Sequence, residues 1–129
     1  MMMDTLTAAR DALATITGVA SCKVGLEANI GPSDYPLIRI VPSRITPGRP
    51  YNNRSAECLV YFGTDTSEAE GSLEQVYTDL FALESEIIHK VKTLGGRYIE
   101  TVTDEDRLDT YKLMAVRCEL VSARPAPAA

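Results

Sequence analysis

The 129-residue chain holds one histidine and three cysteines, the residue types most often recruited as bases, nucleophiles and metal ligands. His89 sits between Ile88 and Lys90. It reads as a partly exposed histidine late in a helix, where the C-terminal dipole favours its charged form. No neighbouring residue supplies the partner that a general base needs. Cys22, Cys58 and Cys118 each fall in the apolar register of an alternating segment, where a thiol behaves as a small hydrophobe. Their odd number and wide separation fit reduced, buried thiols better than a disulfide frame or a zinc site. No Cys-x-x-Cys, His pair or Asp-rich calcium loop occurs. Asp104, Glu105, Asp106 and Asp109 read as a solvated hairpin turn rather than a cation site. Gly95-Gly96 follows a helical segment, whereas a phosphate-binding loop precedes one. The expectation is therefore a protein that is not an enzyme, with no catalytic, cofactor-binding or metal-ligating residue assigned.

The distribution of charge is more informative. From Tyr35 to Ala56 there is no acid, while Arg39, Arg44, Arg49 and Arg54 occur; from Thr64 to Glu86 there is no base, while seven acids occur, Glu70 and Glu74 among them. Three of the four arginines fall in the stretch from Pro42 to Arg54, with Pro42, Pro47, Pro50 and Tyr51. Read as a connection between strands, this stretch is long for a hairpin and fits an ordered contact arm. Sent out and back, it can project about 20 Å from a sheet. A basic arm on one copy and an acidic helix on the next would make a heterologous contact, which closes into a ring when the rotation allows.

The elements that must carry these residues follow from periodicity. Leu6, Ala9, Leu13 and Ile16 form one stripe of a helix from Asp4 to Thr17, capped by Asp4 or Thr5 and ended at Gly18. From Val19 to Ala28 the period falls to two, which predicts a strand with Cys22 and Val24 on one face. Pro36 to Val41 is apolar on both faces and predicts a more buried strand. Ser55 to Phe62 alternates, with Ala56, Cys58, Val60 and Phe62 sharing a face. Ser67 to Leu94 follows the helical period, its stripe including Val76, Tyr77, Leu80, Phe81, Ile87, Val91 and Leu94, and Gly95-Gly96 ends it. Tyr98 to Thr103 and Tyr111 to Val121 complete the set as an alternating hairpin. The order α-β-β-β-α-β-β predicts an α+β fold, a mainly antiparallel sheet with helices packed on one face. It occupies a single domain, 1–122, followed by a Pro/Ala-rich tail, 123–129, expected to be mobile.

Composition bounds the partners. The formal net charge is −5, which argues against direct nucleic-acid recognition through a basic face. No apolar stretch approaches the roughly 20 residues that span a bilayer, and the first residues lack the pattern of a secretory signal. A reduced, intracellular, soluble domain is expected.

The helix closing at Gly18-Val19 leads into the strand Cys22–Ala28 with its Val24-Gly25. The run Pro36-Leu37-Ile38-Arg39-Ile40-Val41-Pro42 and the projecting hairpin come next. Then follow the strand Cys58-Leu59-Val60-Tyr61-Phe62-Gly63, one long helix and a terminal hairpin. In this layout, from Asp4 to Ser122, the chain resembles the tail-terminator proteins of long-tailed bacteriophages and the related tail-completion and neck proteins. The resemblance implies a virion structural protein, assembled in the host cytoplasm and sited at the head-proximal end of the tail. It implies a homo-oligomeric ring, commonly hexameric, that caps the tail tube, stops its polymerisation and meets the head-side connector. Partners are thus the chain itself, the tail tube protein and the connector, with no membrane. The contact candidates are Arg44, Arg49, Tyr51 and Arg54 on the arm and Glu70 and Glu74 on the acidic helix. Two alternatives stand beside this reading: another tail-completion or head–tail neck protein, and a small oligomeric α+β enzyme or ligand-binding domain.

Overall fold

A computed structural model describes residues 2–25, 32–47, 53–65, 73–103 and 111–123. Among these described residues two α-helices and five strands follow in the order α1 (Met2–Ala14), β1 (Ser21–Val24), β2 (Leu37–Pro47), β3 (Asn53–Asp65), α2 (Leu73–Thr93), β4 (Arg97–Thr103) and β5 (Tyr111–Ala123). The strands form one sheet in the order β1-β2-β3-β5-β4, in which only β1 and β2 run parallel. The fold is α+β, as the periodicities predict.

Period-two alternation aims Ala56, Cys58, Val60 and Phe62 of β3, and Met114, Val116, Cys118 and Leu120 of β5, at one core. Helix α1 adds Met2, Leu6, Ala9 and Leu13, and α2 adds Val76, Leu80, Ile87 and Val91. Both helices therefore lie on the same face of the sheet. The apolar stripe of α2 is narrower than the sequence predicts: Phe81 is 51% exposed and stacks beside Tyr77, and Leu94 is 41% exposed. Val76, Leu80, Ile87 and Val91 face the core with Tyr77, Leu83 and Ile88 packed against it, and Phe81 falls outside the arc of the four.

Helix α1 starts at Met2, earlier than a cap at Asp4 or Thr5 allows, and Asp4 lies in its first turn. It also ends sooner than predicted. Past Ala14 the chain tightens into i→i−3 bonds, from Thr15 N to the Ala12 carbonyl and from Ile16 N to the Leu13 carbonyl, and these still bury Ile16. Helix α2 stops where Gly95-Gly96 predicts. Gly96 N donates to the Val91 carbonyl and Gly95 N to the Lys92 carbonyl, while Gly95 adopts φ +81°. This is the Schellman geometry, which a β-carbon at Gly95 would strain.

The largest departure from the sequence reading concerns residues 42–54. Residues 42–47 and 53–54 are strand, continuing β2 outward and starting β3 early. The prolines point to a loop, yet β2 pairs with β3 there, and among the described residues its pairing with β1 extends as far as Ile40. A register shift between Pro42 and Arg44 absorbs Ser43, whose hydroxyl donates to the Glu57 carbonyl at 2.9 Å. The arm is thus a ribbon, with β5 as its third strand through the pairs Ala56–Leu120 and Arg54–Ser122. The first predicted strand begins at Ser21 rather than Val19 and is described as far as Val24, and 26–28 of its predicted range lie outside the described residues. The boundary expected after residue 122 falls within β5, and 124–129 lie outside the described residues.

Gly63 permits one close approach. A β-carbon there would lie 2.6 Å from the Lys112 carbonyl oxygen and collide with the Leu113 side chain. Because the backbone cannot yield as a side chain can, Gly63→Ala is expected to cost about 2 kcal/mol in a urea titration.

Candidate functional site

Two surfaces at opposite ends of the sheet carry the segregated charge. The first is the outer arm, where residues 42–47 are exposed throughout. Arg44 is exposed and stands opposite Glu57, and Arg54 is half-buried and stands opposite Pro47. Beyond the register shift, Ile45 pairs with Ala56, so Ile45, Pro47, Arg54 and Ala56 share the helix-side face of the ribbon. Arg49 and Tyr51, expected on the arm, lie outside the described residues.

The second surface is a groove of about 370 Å³ between the end of α1 and the middle of α2. Ile16, Val19, Leu80 and Leu83 give it apolar walls, Pro36 and Thr64 close its sheet end, and Asp79 and Glu86 stand on α2 beside it. Both carboxylate residues are exposed, and Gln75 Nε2 donates to Asp79 at 2.9 Å. Glu74 is exposed in the first turn of α2, outside this groove, and Glu70 lies outside the described residues. The acidic helix is therefore real as a surface. Its carboxylates at the groove, Asp79 and Glu86, are ones the sequence reading did not single out. Their signal was available: a spacing of seven puts both on one helix face.

Arg39 belongs to neither surface. It is fully buried, and Nη1 donates to Ser21 Oγ at 3.0 Å and to the Ile38 carbonyl at 2.9 Å. The basic block of the sequence thus divides into an internal arginine and arm arginines. The both-sided apolar run around Arg39 is the signal for its burial.

The face of the sheet opposite the helices carries a ladder of charge. Arg117 Nη1 lies 3.1 Å from Glu100 and its Nε 3.5 Å from Glu57, and Arg97 pairs with Glu119 at 3.5 Å. These half-exposed pairs contribute at most about 1 kcal/mol each and chiefly offset the Glu57–Glu119 juxtaposition in the register. Toward the other end of that face Leu59, Tyr61, Val102 and Leu113 border a hollow of about 310 Å³.

The groups that could do chemistry are dispersed. His89 is exposed on α2, and its carbonyl accepts the Thr93 hydroxyl. Among the described residues no group of three or more His, Cys, Asp or Glu side chains is arranged to hold a metal ion. Cys58 and Cys118 face one another across β3 and β5, fully buried, and Cys22 is half-buried with its Sγ 3.5 Å from the Arg10 carbonyl. Burial pushes the Cys118 thiol up to about 12, with Cys58 adding to the effect, and pushes Cys58 up to about 11. Burial also raises Cys22 to about 11, against the pull of Arg39 and Arg10. A thiol so shifted is a poor nucleophile at neutral pH.

The same shifts set a pH dependence. In the unfolded chain these thiols ionise near the ordinary value of 9.0, below their folded values. The unfolded state therefore loses protons first, so their contribution is intact below pH 9 and declines as pH rises toward 11–12. Urea midpoints are expected to hold between pH 7 and 8.5 and to fall by pH 10.5. Cys118→Ala should flatten part of that fall.

Comparison with known proteins finds no matching family model and no curated protein of similar sequence.

Proposed function

We propose that this protein is a structural assembly subunit, a phage tail terminator whose copies form a ring on the end of the tail tube. The observation that carries this reading is the placement of charge. A basic ribbon leaves one end of the sheet, and an acidic, apolar-floored groove lies at the other. Such a subunit cannot satisfy itself, and a heterologous contact repeated with a closing rotation makes a ring. The element order and the projecting β2–β3 arm support the same assignment through the resemblance. Among the described residues, Cys58 and Cys118 are buried with raised thiol pKa values and His89 is exposed on α2, which favours a structural role over a catalytic one for them. In this reading the ring halts tube growth and offers its outer face to the head-side connector.

The experiment is assembly. The purified protein, alone and mixed with tail tubes, is examined by sedimentation and negative-stain microscopy. Closed rings, or caps on tube ends with shorter mean tube length, are expected. A chain that stays monomeric under both conditions overturns the reading.

A further inference from the structure

Arm and groove cannot meet within one chain. Strand β2 enters the sheet beside the groove, after Pro36, and its eleven residues carry the chain about 35 Å to Pro47 on the arm. Their surfaces nevertheless match. On the helix-side face of the arm, Ile45 is 43% exposed and lies beside the pair Pro47–Arg54, so an apolar side chain and a cation share one side of a ribbon. In the groove, Asp79 and Glu86 stand two helical turns apart, about 10 Å along the α2 axis, with Leu83 between them. That is a slot with an apolar floor and two anionic posts. An aliphatic residue next to an arginine fills both requirements, and the guanidinium fork is suited to carboxylates.

We propose that the groove between the end of α1 and the middle of α2 receives the arm of a second copy of this chain. Ile45 packs on the apolar floor, and Arg54 is held by Asp79 and Glu86. This rests on the ring reading above and assigns the contact that builds the ring. Because the donor and acceptor surfaces differ and lie at opposite ends, each copy gives one arm and receives another. The contact is head-to-tail and leaves no chain in a closed ring unpartnered. Charge complementarity sets the register of the arm in the slot, and the buried aliphatic contact supplies the attraction that salt does not screen.

The test is a charge exchange followed by sedimentation velocity. Arg54→Glu alone, and Asp79→Lys with Glu86→Lys, are each expected to weaken self-association at least tenfold, with thermal melts like those of the unaltered chain because these positions are not in the core. The chain carrying all three changes should regain association to within about threefold. As an independent readout, mixing Ile45→Cys chains with Ala82→Cys chains under mild oxidation should give a covalent dimer that neither gives alone. If rings form and neither reversal weakens them, or the combined variant fails to recover, the arm–groove contact is overturned while the ring reading stands. A chain that is monomeric alone and on tail tubes overturns both.

Discussion

Arg39→Ala is expected to lower the stability of the protein by about 4 kcal/mol, in a urea titration followed by circular dichroism. The side chain is fully buried, and its guanidinium starts a relay. Nη1 donates to Ser21 Oγ at 3.0 Å, and the Ser21 hydroxyl donates in turn to the Asp34 carbonyl at 2.8 Å. A second bond from Nη1 ends on the Ile38 carbonyl. The relay ties β2 to β1 and to the short 3₁₀ turn Pro32–Asp34 just before Pro36. Alanine removes these bonds and leaves a cavity; methionine fills most of the volume and should cost about half as much. Lysine keeps the charge but lacks the planar fork, so it should fall nearer methionine than wild type. An alanine variant within 1 kcal/mol of wild type would refute a structural role for the guanidinium. Because Val19 and Pro36 line the groove beside α2, loosening this relay should also weaken the proposed arm–groove contact in an otherwise folded chain.

Phe62→Ala should be comparably severe, costing about 4 kcal/mol and roughly 15 °C in melting temperature. Phe62 is fully buried in β3 between Ile38 of β2 and Met114 of β5, beneath the helices. Truncation removes a ring that three strands and the helix layer enclose, and a three-stranded pairing restrains the collapse that would refill the space. Phe62→Leu should cost only about 1.5 kcal/mol, since most of the volume remains. Equal losses in the two variants would argue against a cavity mechanism. The neighbouring Gly63 behaves in the opposite sense, as a site where added volume is what the sheet cannot accept.

Much of the scaffold was legible in local patterns. The α-β-β-β-α-β-β order, the core faces of β3 and β5 and the stop at Gly95-Gly96 each depend on residues within a few positions of one another. Periodicity and glycine conformation act over that range, so a short window contains the physics. The candidate site was legible only in part. Segregation of charge between the two blocks is visible in the chain itself, and among the described residues Arg44 and Arg54 fall on the arm and Glu74, Asp79, Glu84 and Glu86 on α2. Which members of each block matter is another question. Arg39 looked like one of four evenly spaced bases, yet the apolar residues around it bury it; Asp79 and Glu86 looked like two acids among seven.

By itself, then, the sequence determined a small α+β domain with opposed charge blocks and thiols in core register, because composition and periodicity are local properties. Tertiary structure decided what those blocks can touch. Prolines at 42 and 47 became strand through their pairing with Cys58 and Arg54 of β3, beyond the last β1–β2 pair among the described residues. Phe81 was left outside because it lies off the helical arc of Val76, Leu80, Ile87 and Val91, which meets the sheet. Basic arm and acidic groove came to lie at opposite ends because β2 spans the sheet between them. That separation depends on strand pairing between distant segments, which no local window contains, and it is the ground on which a second copy of the chain is proposed as the partner of the first.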